Sequence, residues 1–349
     1  MIVDELAACL QSPSIIEGGK RAAVGIVLRR PEGSGDGALS PTDIGTVNVK
    51  DLEVLFILRA INENDRWSGQ VGLPGGRQDP GETDLETATR EVYEEVGLVL
   101  DGIDKTRFPG LDDSNFKLLG RIRDRSILPG KDKLVISSFV FIQTSPRTPP
   151  FFLDAFEVAA CGWTRLSVLL EDKPEVVPVV FNLRKSVLRE KLPNVYKMIY
   201  AVGLDRLNFT GVKLEMEQLH SSGNIDGITG EALSHSIQPI DPTKDVEIRD
   251  AFLCWGSTLG IINDLLTEET GLRQHRICLI SSIAPHVYVE KMYPSHVHSW
   301  GLAAMRRSYA LVYGTAMPYD LYIKAYPLFV LSLAVTSTGY TLKRLLSKL

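Results

Sequence analysis

The stretch whose reading matters most runs from Gly75 to Leu98, GGRQDPGETDLETATREVYEEVGL. Its second half predicts a helix. Thr83, with Glu86 three residues later, is a capping-box pair in which each side chain satisfies the other's orphan backbone N–H. Leu85, Ala88, Val92 and Val96 recur at helical spacing and make one apolar stripe. Gly97 stands where a left-handed C-terminal cap belongs. At about 100° per residue, Glu91, Glu94 and Glu95 fall within an arc of roughly 100° beside that stripe. Three carboxylates are therefore held together at the edge of a core. Like charges on adjacent turns repel, so the arrangement is costly unless a cation neutralises it. Taken alone, three such Glu also fit a solvated acidic helix face.

The neighbouring sequence supplies a sheet for this helix. Ala22–Arg29 and Glu53–Arg59 are β-rich apolar runs and read as strands. Between them 31–49, rich in Gly, Ser, Pro and Asp, reads as a flexible loop. Phe116–Ile122 and Leu134–Gln143 read as two more strands, and 158–170 as a strand followed by a short helix. Residues 184–209 mix basic, apolar and helix-forming types. Polar 221–244 reads as a long loop or disordered insert, and 250–267 returns to helical spacing. There is no internal repeat.

The stretch also fits a divalent-ion site. Mg²⁺ takes hard oxygen ligands and is held by carboxylates together with substrate phosphates. Gly76, Glu82 and then Arg90-Glu91-Val92-Tyr93-Glu94-Glu95-Val96-Gly97-Leu98 resemble the Nudix box, with all nine specified positions in agreement. The resemblance implies an α/β/α sandwich with a mixed sheet and a loop–helix–loop that holds Mg²⁺ or Mn²⁺. Carried over by position, the metal ligands are Glu91, Glu94 and Glu95, assisted by the carbonyl of Gly75. Arg90 and Glu82 brace them. The implied reaction is hydrolysis of a nucleoside diphosphate linked to another group. Its general base is a carboxylate, Glu95 first and Glu157 second.

Upstream, Leu58-Arg59-Ala60 and Arg66-Trp67-Ser68-Gly69-Gln70-Val71-Gly72-Leu73-Pro74 resemble the segment before the box in coenzyme A diphosphatases. Those enzymes release 3′,5′-ADP and 4′-phosphopantetheine. On that resemblance Arg59 and Arg66 bind substrate, their guanidinium forks gripping a 3′-phosphate. Two positions depart from the pattern: Arg66 lies one residue nearer Gly69, and Leu73 replaces a usual Phe. The Arg-Trp-Ser-Gly form is also similar to a eukaryotic Nudix branch with long C-terminal extensions. Trp255-Gly256-Ser257-Thr258 resembles the start of the last helix in the coenzyme A-type domain. The expected organisation is a Nudix domain over 18–183, completed by 247–267 unless that helix belongs to an independent domain. Residues 184–246 form an insert or linker, and 268–349 a C-terminal extension. Hydrolysis of ADP-ribose or a dinucleotide is the alternative activity, and a non-catalytic nucleotide- or protein-binding module the alternative class.

Composition bounds the rest. The chain has 349 residues, 44% hydrophobic and 23% charged, as globular proteins do. Thirty-eight basic against 43 acidic residues leave a charge of −5, unsuited to long nucleic acid, which needs an excess of Lys and Arg. Cys9, Cys161, Cys254 and Cys278 are widely spaced and read as reduced thiols. The N-terminus reads as neither a secretory signal nor a transit peptide. Ser347-Lys348-Leu349 resembles a peroxisomal import address, which implies an import receptor as partner and a peroxisome or related organelle as location. The competing expectation is membrane contact through 325–342, an uncharged stretch broken by Pro327 and Gly339; a cytoplasmic location is the third. His296 and His298 could pair on a metal but lack acid or Cys neighbours, and 33–37 lacks the Lys-Ser or Lys-Thr of a P-loop.

Overall fold

Strand β-propensity and helix capping are realised together around one central sheet. The computed structural model describes residues 1–32, 41–62, 67–126, 134–171, 174–182, 206–221, 252–274, 277 and 280–284. Arg66, 33–37, His296, His298, 325–342, the Ser-Lys-Leu tail and most of the expected 184–246 insert lie outside those residues.

The chain divides into two units, Met1–Val179 with Thr210–Leu279, and Val180–Phe209 with Ile280–Leu349. In the first, a short helix α1 (Val3–Cys9) precedes strand β1 (Lys20–Arg29). Pro41–Thr46 and Val49–Asp51 are 3-10 turns, so the loop expected over 31–49 carries local structure in its second part; Asn48 caps the second turn by accepting from the Lys50 N–H. Then come β2 (Glu53–Arg59), the short β3 (Val71–Gly72) and β4 (Gly75–Arg77), and helix α2 (Asp84–Val96). Strands β5 (Phe116–Ser126), β6 (Leu134–Gln143) and β7 (Val158–Arg165) follow, the last running into helix α3 (Leu166–Leu170). β8 (Val176–Asn182) and β9 (Arg206–Lys213) each cross the division between the units. β10 (Glu217–Ser221), β11 (Leu253–Cys254) and helix α4 (Gly256–Asn263), which continues as a π-turn over Asp264–Glu269, complete the first unit.

The main sheet has the order β10-β7-β2-β1-β6-β5, with β3 on β2 and β4 on β1. β1 and β6 are parallel, in register from Lys20↔Leu134 to Leu28↔Ile142; the other pairs are antiparallel. The sheet is mixed, as expected. β1 is apolar from Ala22 to Leu28 because both faces are covered there. Ala23 and Val27 pack with Leu55, Phe139, Phe141 and Trp163 against Ala88, Val92 and Val96 of α2, while Val24, Ile26 and Leu28 are buried too.

Residues 206–213, to which the sequence assigns no element, are strand. Within the stretch expected as insert or linker, 210–221 cluster with the first unit, and β10 pairs with β7 as the edge of the main sheet (Ser221↔Ala160, Glu217↔Trp163). An edge strand has one ladder and mostly exposed side chains, so its sequence is polar and resembles a loop. α4 packs within the same unit: Thr258 Oγ1 donates to the Val71 carbonyl, and Arg125 Nη2 donates to the Gly260 carbonyl at 2.7 Å and pairs with Asp264. In the second unit, the start of β9 pairs with β12 (Ile280–Ala284), from Phe209↔Ile280 to Arg206↔Ala284. Among the described residues, no helix is long and apolar enough to cross a membrane.

Candidate active site

The site begins with the helix start. The Thr83 hydroxyl accepts from the Glu86 N–H, and Glu86 Oε2 accepts from the Thr83 N–H at 2.7 Å. Asp84 is anchored to the sheet by Arg21 Nε at 2.6 Å and Arg121 Nη2 at 2.9 Å. At the other end Gly97, at φ +78°, closes the helix with its N–H on the Tyr93 carbonyl. The helix is thus fixed in rotation, with its apolar stripe on the sheet and its carboxylates facing one end of it.

Arg90 organises those carboxylates. Its Nε and Nη2 donate to Glu82 at 2.6 and 3.0 Å, its Nη1 to Glu91 and Glu94 at 2.8 Å each, and Nη2 also to the Arg77 carbonyl. All three nitrogens of a buried guanidinium are engaged, an arrangement a Lys could not reproduce. Burial works to raise the Glu82 carboxyl, but hydrogen bonds from Arg90, the Asp79 N–H and the Thr87 hydroxyl, with the Arg90 charge, together outweigh it and hold Glu82 at about 2. Arg107 grips the same loop from outside, donating to Glu82 Oε1 at 2.6 Å and Asp79 Oδ2 at 3.1 Å. Sequence reading missed Arg107, because nothing in a loop arginine signals a partner 25 positions away.

Glu95 is the most enclosed carboxylate of the site, 1% exposed. Its Oε2 accepts from the Gly75 N–H at 2.8 Å; Oε1 is buried and accepts no hydrogen bond, with Arg59 Nη1 3.8 Å away. Burial pushes Glu95 up to about 8, against the opposing pull of the Gly75 N–H and Arg59. Glu91 is also raised, chiefly by burial. Its carboxylate lies over Gly76, where an added Cβ would come within 2.4 Å of Oε2, so only glycine admits that approach.

The sheet brings in another carboxylate. β2 ends at Arg59 where β7 begins, and the Ala60 N–H donates to the Glu157 carbonyl at 2.8 Å. This places Glu157 beside the helix, and Glu91, Glu95 and Glu157 present oxygens all within 4.8 Å of one another. Glu94 points to Arg90 and is 43% exposed, outside that group, while Glu157 joins it. Consecutive helical residues diverge by about 100°, so Glu94 and Glu95 cannot both face one centre as closely as Glu91 and Glu95 do. Of Gly75, the N–H is seen engaged with Glu95. The donor set suits a hard divalent cation: three carboxylates, no Cys or His, and a buried oxygen left without a proton donor.

Residues 19–181 match the family model described as the NUDIX domain. An uncharacterised protein of Schizosaccharomyces pombe is 30% identical over 168 residues, covering 47% of this chain and 46% of that protein. Nudix hydrolase 3 of Caenorhabditis elegans is 36% identical over 99 residues, 27% of this chain and 39% of that protein. The chain thus spans less than half the length of these curated relatives. Among solved structures, a C. elegans Ap4A hydrolase binary complex aligns over 43% of this chain and 83% of its own at 15% identity, TM-score 0.29. A NUDIX hydrolase of Alicyclobacillus acidocaldarius aligns over 44% and 82% at 20% identity, TM-score 0.30.

Proposed function

We propose that the protein is a divalent-metal-dependent hydrolase of nucleoside diphosphate derivatives. The observation that carries this reading is the convergence of Glu91, Glu95 and Glu157 around a buried, unbonded carboxylate oxygen. These three carboxylates would hold Mg²⁺ or Mn²⁺. The bound ion would neutralise phosphate oxygens and lower the pKa of attacking water. Hydrolysis adds water across the P–O–P link: a new P–O bond forms, the bond to the bridging oxygen breaks, and two phosphomonoesters and a proton result. The Glu157 oxygen turned away from the ion would accept that proton. Glu95, ranked first from sequence, is sealed from solvent and cannot pass a proton on, whereas Glu157 is exposed. Arg90 and Glu82 are positioning residues that hold Glu91. Arg59, 3.8 Å from Glu95, would grip a phosphate of the substrate.

Coenzyme A is the substrate we place first. The reading is supported by the sequence from Leu58 to Gly76 and by the Trp255-Gly256-Ser257-Thr258 start of α4, a helix that packs in the same unit as the site. The test is turnover of coenzyme A, 3′-dephospho-coenzyme A, ADP-ribose and diadenosine tetraphosphate with and without Mg²⁺. Glu91→Gln and Glu157→Gln should each lower turnover by on the order of 10²–10⁴ where the parent is active. Hydrolysis that persists in EDTA would sink the metal-dependent reading, and equal rates on the first two substrates would remove the 3′-phosphate from recognition.

A further inference from the structure

A cleft of about 540 Å³ opens beside Glu94. One wall is the loop Phe151–Asp154, which leads to Glu157; the other is the end of β10, His220 and Ser221. That second wall lies beyond the residues matched as the NUDIX domain. The cleft is therefore closed by a strand from outside the matched stretch, added to the edge of the sheet.

Its lining has a definite chemistry. Phe151 packs against the His220 ring at 4.8 Å, and Phe152 is 73% exposed, so flat apolar surface faces the opening. Two carboxylates, Glu94 and Asp154, stand at it. Each has one oxygen occupied, Glu94 Oε2 by Arg90 and Asp154 Oδ1 by the Phe156 N–H, which leaves the other oxygen of each to accept from a ligand. Among the described residues, neither Arg nor Lys lines it. A phosphate would meet repulsion without a counter-charge; an uncharged arm with O–H or N–H donors and apolar carbon would meet acceptors and contact surface.

We propose that this cleft takes the phosphate-free arm of the substrate, a neutral, donor-bearing group carried on one phosphate of the diphosphate. The proposal rests on the hydrolase reading for its substrate, but the cleft is testable by binding alone. Two sources share the chemistry, a pantetheine arm and a ribose. The probes are 4′-phosphopantetheine, ribose 5-phosphate and 3′,5′-ADP, titrated by calorimetry into the full chain in Ca²⁺. Two variants alter the wall from the exposed strand end, Ser221→Trp, which fills the cleft, and His220→Ala, which removes the Phe151 ring contact. Binding of one neutral-armed phosphate should weaken roughly tenfold or more in Ser221→Trp, with 3′,5′-ADP within about twofold of the parent. Which of the two weakens identifies the arm. Parallel loss for 3′,5′-ADP, no change in either variant, or no binding of either neutral-armed probe to the parent would each overturn the proposal. If instead the parent hydrolyses no diphosphate in Mg²⁺, the hydrolase reading fails while the binding comparison still stands or falls by itself.

Discussion

At the scale of single residues, the charge balance around Glu95 decides how the site behaves without metal. A carboxyl whose folded pKa is raised from 4.5 to about 8 binds its proton more tightly in the folded chain than in the unfolded one. Between those values the folded state carries more protons, so stability falls as pH rises. In EDTA, unfolding free energy should drop by on the order of 1–3 kcal/mol from pH 5 to pH 8 because of this group. Urea unfolding of Glu95→Gln at the same two pH values should show a clearly shallower fall. A slope identical in parent and variant would mean that Glu95 is charged throughout and already neutralised by Arg59.

At the scale of elements, α4 depends on a buried ion pair. Arg125 and Asp264 are each almost fully enclosed, and Arg125 also bonds the Gly260 carbonyl. Removing one partner leaves an uncompensated buried charge. Asp264→Ala is expected to cost about 3–5 kcal/mol, whereas replacing both residues by apolar ones of similar size should recover much of the loss. Equilibrium unfolding of the two single variants and the double variant checks this. Additive losses would show that the pair is not coupled.

The whole first unit is assembled from distant pieces of chain. α4 and its π-turn bury Leu259, Ile261, Ile262, Leu265 and Leu266. At about 1.5–3 kcal/mol for each fully buried side chain, this burial is comparable to the whole stability of a domain. A fragment ending at residue 182 should therefore fail to fold, and a chain retaining 1–279 should keep the first unit. Circular dichroism and exchange-protected amides in the two fragments test the claim; a cooperative, protected 1–182 fragment would disprove it.

Sequence alone determined the pieces whose causes are local. The capping box at Thr83, the stripe from Leu85 to Val96, the Gly97 cap and the apolar strands follow from periodicity and backbone preference, which neighbouring residues carry by themselves. So does the clustering of acids on α2, because helical spacing is a constant. Only the tertiary structure decided which acids converge. The Arg90–Glu94 pair is an i,i+4 contact that helical spacing already offers, whereas Glu157 comes beside Glu91 and Glu95 through the β2–β7 register, a pairing with no signature along the chain. The same holds for Arg107 on Glu82 and for β10, a polar edge strand that reads as loop until its partner is known. Contacts between residues far apart in sequence depend on how whole elements pack, and that packing is a property of the assembled core rather than of any window of residues.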